Sequence, residues 1–416
     1  MELAGLFISM ILIVYVVTRW GNVAAALTAG ILVVTLFSSI SPRDFLGIVY
    51  HTTMAASTIE LIVIVLLITL FSSVMYNTHI LEKLINSLIT MMRSVHVLLA
   101  LLPAIVGLLA IPGGAIMSCP FVDKLGDKIK MPPGFKSGTN IFFRHLSVFL
   151  NPLSPLLIIA ADISGLGFLP IIKFHVIPVT LSLIVGLVVL HKFWPEMKLS
   201  QAPYGAKSLL EHSFFAAIKE FLVYGSPLII ALILKLGFGI NFIISLSLAI
   251  ILTVVIDART EKVIRLCDAK KIILQDTSWQ LGLAVYTITL FGAFVNSSGA
   301  VPMFADIIIN AHMPLIVLLV FTSVLIGFAA GHPIVGSAII YPIFVPLVGP
   351  GAEGVAYLSV ILTGMMFGYV VSPIHLCLIV TNEYFKVGYR ESYPLLLPLQ
   401  TLLLITAVAL ALLMKL

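Results

Sequence analysis

Apolar runs of span length, parted by short polar connections, recur along almost the whole chain. A helix needs roughly 20 apolar residues to cross a bilayer. The pattern predicts ten such helices, at about 2–18, 22–40, 57–77, 134–165, 167–190, 214–235, 239–256, 277–296, 353–381 and 392–414. No basic residue precedes the first run, and the first arginine, Arg19, follows it. That run therefore reads as a retained helix rather than a signal peptide. Between the second and third helices the chain is half-polar. Residues 78–92 interleave Leu81, Leu84, Ile85 and Leu88 with His79, Glu82, Lys83 and Asn86. This amphipathic stretch is too short to span and predicts a helix lying along the membrane interface.

Four apolar runs are interrupted, in two matching pairs. Ile111-Pro112-Gly113-Gly114-Ala115 breaks one, and Gly331-His332-Pro333-Ile334-Val335-Gly336-Ser337 breaks its counterpart. Further along come Asn151-Pro152-Leu153-Ser154-Pro155 and Ser372-Pro373-Ile374-His375. Pro112 to Pro152 and Pro333 to Pro373 are each 40 positions. Ile68-Thr69-Leu70-Phe71 recurs as Ile288-Thr289-Leu290-Phe291 at an offset of 220, against 221 for the proline pairs. The chain thus reads as two repeats, divided in the polar loop 191–212. The arms at 95–127 and 313–349 are each too short to span and predict re-entrant hairpins, tipped at Pro112–Gly114 and His332–Ser337. The runs 134–165 and 353–381 predict discontinuous helices.

Each repeat then holds five spanning helices and one hairpin, and the odd count inverts the second repeat relative to the first. Charge supports this topology. With the N-terminus outside, one face receives the basic clusters Lys124–Lys136, Lys192–Lys207 and Arg259–Lys271, while the other receives only Arg43, Lys173, Lys235 and Lys415. The positive-inside rule makes the first face cytoplasmic and puts both termini outside a cell membrane.

Composition narrows the class. The chain is 60% hydrophobic and 10% charged, with a mean hydropathy of +1.17, whereas soluble domains carry roughly 25% charged residues. An all-α polytopic membrane protein embedded in the lipid bilayer is implied. The net charge of +5 sits in short connections and is no nucleic-acid footprint. Cys119, Cys267 and Cys377 show no CxxC spacing, and the histidines are scattered rather than spaced as metal ligands. HExxH, GxSxG and P-loop motifs are absent, so neither an enzyme nor a bound cofactor is expected.

The paired breaks locate the candidate chemistry. Interrupted segments at matching places in two halves are the best sequence pointer to a transporter's binding site. A broken helix exposes N–H groups that suit carboxylates or phosphates, and C=O groups that suit a desolvated cation. The candidate substrate site is Gly113, Gly114, Asn151, Ser154, Gly336, Ser337, Ser372 and His375, with Arg144 as a bidentate partner for a carboxylate. Arg144 could instead pair with Glu60 or Asp162, or snorkel to the interface. Candidates for a coupling ion, Na+ or H+, are Asn151, Ser154, Ser372, His332, Asp162, Glu383 and Asn382. Asp162 and Glu383 occupy equivalent repeat positions, and as interfacial acids in water they would do nothing. A small organic anion moved with Na+ or H+ fits best. A Na+/H+ antiporter would need a carboxylate deep near the breaks, and a membrane enzyme or lipid-handling protein would need clustered catalytic residues.

This layout resembles the ion-transporter superfamily of secondary carriers, which includes divalent-anion/sodium symporters and gluconate, citrate and C4-dicarboxylate carriers. Ile111-Pro112-Gly113-Gly114-Ala115 and Asn151-Pro152-Leu153-Ser154-Pro155 resemble the prokaryotic family labelled domain of unknown function 401. The resemblance implies scaffold parts at 1–92 and 201–312 and transport parts at 93–200 and 313–416. It further implies a homodimer and elevator-like alternating access, with hairpins and broken helices meeting around the substrate. The hairpin tips lack the Ser-Asn-Thr type motif of the sodium-coupled dicarboxylate branch.

Overall fold

In the computed structural model the first half runs α1 (Glu2–Trp20), α2 (Val23–Phe37), α3 (Pro42–Met54), α4 (Ala56–Asn77) and α5 (Ile80–Met91). A hairpin follows, α6 (Val95–Leu108) and α7 (Gly114–Lys128), then α8 (Pro133–Leu146) and α9 (Pro155–Ser164) either side of a break, and α10 (Phe168–Phe193). The second half runs α11 (Phe214–Leu232), α12 (Phe242–Thr260), α13 (Trp279–Ser297) and α14 (Ala300–Asn310). Its hairpin is α15 (Leu315–Ala330) and α16 (Pro333–Val348); α17 (Gly351–Val371) and α18 (Leu376–Phe385) flank its break, and α19 (Tyr389–Leu413) closes the chain. The structure describes residues 1–92, 94–109, 114–195, 214–260, 270–310 and 314–414. Gly113 and most of the polar loop 191–212 lie outside the described residues.

Among the described residues nine helices, counting each broken pair as one, are long and apolar enough to cross a bilayer. The chain is a multi-pass membrane protein. The expected span at 22–40 departs from this. Its helix, α2, has 15 residues, about 22 Å at the α-helical rise, against a hydrocarbon core of roughly 30 Å. The chain restarts as α3 because Ser41 accepts the Asp44 N–H and Pro42 occupies the first helical turn. The half-polar stretch is therefore a helix. α5 forms where an interfacial helix is expected, but its face of Ile80, Leu81, Leu84, Ile85 and Leu88 is buried. It packs on α11 and α4, so protein covers the stripe.

The two halves interlock. α8 packs on α18 and α19, α7 on α18, α9 on α16, and α10 on α17 and α19. Among the remaining helices α2 packs on α13, α4 on α12 and α13, and α5 on α11. The repeated Ile-Thr-Leu-Phe segments lie on α4 and α13, which touch, and Phe71 and Phe291 are both fully buried.

One ion cluster anchors the first hairpin. Lys136 of α8 donates to Asp123 Oδ1 and Asp127 Oδ1 of α7, each at 2.6 Å, and its side chain is almost fully buried. Gly126 makes room for the lysine stem. The two carboxylates are partly exposed and can rehydrate, so Lys136→Met is expected to cost about 1–3 kcal/mol. The measurement is thermal unfolding in detergent, where the midpoint falls; an unchanged midpoint would remove the cluster's anchoring role.

Candidate functional site

Proline chemistry makes the breaks. A residue preceding proline is driven out of the helical region. Asn151 (φ −92°, ψ 104°) precedes Pro152, Ser154 (φ −73°, ψ 119°) precedes Pro155, and Ser372 (φ −69°, ψ 134°) precedes Pro373. α8 first tightens into a 3-10 turn, Ser147–Leu150.

The two breaks share one hydrogen-bond scheme. Asn151 Nδ2 donates to the Leu108 carbonyl at 2.9 Å, and Ser372 Oγ donates to the Phe328 carbonyl at 2.7 Å. Each thereby satisfies a carbonyl near the C-terminal end of a hairpin's first arm. Asn151 Oδ1 accepts the Leu153 N–H, and Ser372 Oγ accepts the Ile374 N–H. The Ser154 N–H then bonds to the Asn151 carbonyl, and the His375 N–H to that of Ser372. Asn151→Ala and Ser372→Ala should each cost about 1–3 kcal/mol, since each strands a carbonyl. Comparable falls in thermal midpoint would show the two pins to be equivalent; a loss at one break alone would refute that equivalence.

A cavity of about 650 Å³ lies against both breaks. Gly107–Leu109, Arg144, His145, Asn151 and Ser154 line it from the first half; Gly331, His332, Tyr369, Ile374 and Cys377 line it from the second. The opposite wall is the α1–α2 turn, including Gly21 and Asn22, with Ser278, Gln280 and Ala284 at the start of α13. The Arg144 guanidinium is close to Gly114, where a β-carbon would stand 2.6 Å from Nη2. Its Nη1 is buried without a hydrogen-bond partner, as is His332 Nδ1. Among the described residues Arg144 has no ion-pair partner, neither Glu60 nor Asp162. Among the described residues no Asp or Glu side chain lines the cavity.

The expected residues divide. Arg144, His332, Asn151 and Ser154 line the cavity, and Gly114 backs Arg144. His375 is fully buried just behind the wall, between the rings of Tyr369 and His145 at centroid distances of 4.0 and 4.8 Å. Ser372 is fully buried and committed to its turn. The sequence places the second hairpin's tip at His332–Ser337, but the turn is confined to Gly331 and His332, because Pro333 already occupies the first turn of α16. Gly336 and Ser337 therefore lie within the helix, away from the cavity. Gly336 faces the Met365 sulfur, and Ser337 Oγ donates to the Pro333 carbonyl. Asn382 is buried elsewhere, accepting from Ser137 Oγ at 2.6 Å. Asp162 and Glu383 are exposed and do not reach the cavity. Sequence reasoning missed Tyr369 and Cys377, and the wall from α1, α2 and α13. Cys377 had one signal, its place two residues after His375 beside a break.

Two solved structures share this fold. MtrF of Neisseria gonorrhoeae, described as illuminating a class of antimetabolite efflux pumps, aligns with a TM-score of 0.57 at 16% identity over 89% of this chain and 84% of that one. The YdaH transporter of Alcanivorax borkumensis, described as having an unusual topology, aligns with a TM-score of 0.63 at 15% identity over 89% of each chain. No curated protein sequence matches the chain. The family model described as "Protein of unknown function (DUF401)" matches residues 2–414, and the chain belongs to that family.

Proposed function

We propose that this protein is a secondary active transporter of a small organic anion, most simply a carboxylate, coupled to Na+ or H+. The carrying observation is the cavity's charge: Arg144 with an unpartnered buried nitrogen, beside His145 and His332, with no carboxylate among the described residues of its lining. A buried arginine without a partner is costly, and an anionic substrate supplies the missing acceptor bidentately. The fold shared with transporters supports movement across the bilayer. A Na+/H+ antiporter requires an acid near the breaks, and Asp162 and Glu383 stand away from the cavity.

In this reading 1–92 and 201–312 are scaffold, and 93–200 and 313–416 carry the substrate as an elevator between inverted repeats. The cavity rim at the end of α1 and the start of α13 belongs to the face that the basic clusters assign to the cytoplasm. The conformation is then the inward-facing one. The test is current recording on proteoliposomes fixed to a solid-supported membrane. Jumps of C4-dicarboxylates, citrate, gluconate, lactate and phosphate are made with and without Na+, at mildly acidic and mildly basic pH. Currents requiring both an anion and one cation gradient support the reading. Currents driven by Na+ or pH jumps but indifferent to every anion would replace it with exchange.

A further inference from the structure

His145 lies in the first half and His375 and Cys377 in the second, 230 or more positions later, yet their ligand-capable atoms all lie within 4.8 Å of one another. His145 closes α8; His375 and Cys377 flank the start of α18. Both imidazoles are already oriented. His145 Nδ1 is 2.8 Å from the Ile141 carbonyl, and His375 Nδ1 is 3.2 Å from the Val370 carbonyl. A carbonyl can only accept, so each Nδ1 carries the proton and each neutral ring presents a bare Nε2. His375 Nε2 is buried with no partner. This arrangement, with the far ring nitrogen tied to a backbone carbonyl, is the usual outer shell of a metal-binding histidine. Among the described residues, the Cys377 sulfur's hydrogen-bond contact is with the Tyr369 hydroxyl, at 4.0 Å.

We propose that His145 Nε2, His375 Nε2 and Cys377 Sγ bind one zinc-type divalent cation. Two imidazoles and one thiolate select a borderline-soft ion over Na+, Mg2+ or Ca2+. Tetrahedral ligation at ordinary Zn–N and Zn–S lengths puts these ligand atoms roughly 3.3–3.6 Å apart, so the widest pair must close by about an ångström on binding. The thiol proton passes to solvent as the thiolate forms, so one proton is released per ion. His145 and Cys377 line the cavity, and the fourth coordination position opens into it. The occupied site ties α8 of the first half to α18 of the second.

The full-length protein in detergent is stripped with chelator, desalted and titrated with Co2+ as a spectroscopic stand-in for Zn2+. The expected result is one ion per chain, a thiolate-to-cobalt charge-transfer band, tetrahedral d–d absorption, and displacement by Zn2+. Cys377→Ser removes the band. Cys377→Ser and His375→Gln each weaken binding by more than the roughly 10–100-fold that loss of an outer-shell partner costs. A wild-type readout guards against misfolded variants: Zn2+ slows maleimide labelling of Cys377, followed on its own peptide, on the order of tenfold or more. Equal Co2+ binding by the Cys377→Ser variant overturns the proposal and moves the ion elsewhere, for example to His96 and His191, whose rings lie 5.3 Å apart. Uptake without a thiolate band, or labelling of Cys377 indifferent to Zn2+, also overturns it.

Discussion

Arg144→Met is expected to abolish anion-dependent currents in proteoliposomes while leaving the protein folded. The residue is 9% exposed, with Nη1 buried and unpartnered. Methionine removes an uncompensated charge from the interior, so the thermal midpoint should hold or rise. Substrate binding loses a charge-assisted pair, and losses of this kind run at about 2–5 kcal/mol, or roughly 30- to 5,000-fold in affinity. Arg144→Lys should be nearly as inactive, because an ammonium is a point charge that cannot grip a carboxylate in two places. Gly114→Ala acts on the same group. Its β-carbon would stand 2.6 Å from Nη2, so the guanidinium must shift, and weaker transport with an intact fold is expected. Wild-type currents from Arg144→Met would mean that the arginine only solvates itself at the cavity edge, and the anion reading would fall with it.

Gly368→Val should have the largest structural effect. Among the described helices, α15 and α17 pack against each other most extensively. A β-carbon at Gly368 would collide with the carbonyl oxygen of Val324 and stand 2.6 Å from the Phe328 nitrogen. One at Gly327 would collide with the Met365 carbonyl oxygen. These obstacles are backbone, which cannot turn aside. In lipid, helices associate through such close approach, because hydrocarbon tails compete equally for apolar side chains. Overpacking costs typically 1–3 kcal/mol, and a backbone-on-backbone clash should exceed that. Gly368→Val and Gly327→Val should lose the monodisperse peak on size-exclusion chromatography. At Gly364 the obstacle is the Ser323 side chain, which can rotate, so Gly364→Ala should be milder. Gly47 meets nothing within 4 Å, and Gly47→Ala in α3 should be neutral or gain up to about 1 kcal/mol of helix propensity. If Gly368→Val behaves like Gly47→Ala, the seam does not hold the hairpin as described.

Much of the architecture was readable because its causes are local. Pro152, Pro155 and Pro373 each act on the residue before them, so the ends of α8, α9, α17 and α18 follow from neighbouring letters. The apolar lengths of α1, α4, α10 and α19 needed no partners to be recognised. α2 was harder, because its run continues past the point where Ser41 and Pro42 start a new helix. At α5 the amphipathic stripe was plain, but whether lipid or α11 covers it depends on packing, since either surface satisfies the same apolar side chains.

The site was less readable. Each helical residue advances the side chain by about a quarter turn, so a residue near a break can face the cavity, the hairpin or the lipid. Gly336 and Ser337 turned toward Met365 and their own helix; Ser372 was consumed by its turn. Sequence alone determined a polytopic membrane chain, two matching breaks and an arginine two turns before the first of them. Only the tertiary structure decided that Arg144 meets Gly114 with no acid among the described residues paired to it, that Asp162 and Glu383 stand apart, and that His145 meets His375 and Cys377. The physical reason is range. Proline and hydrophobicity act over one or two helical turns, whereas the company a side chain keeps across two halves is set by how the helices rotate as they pack.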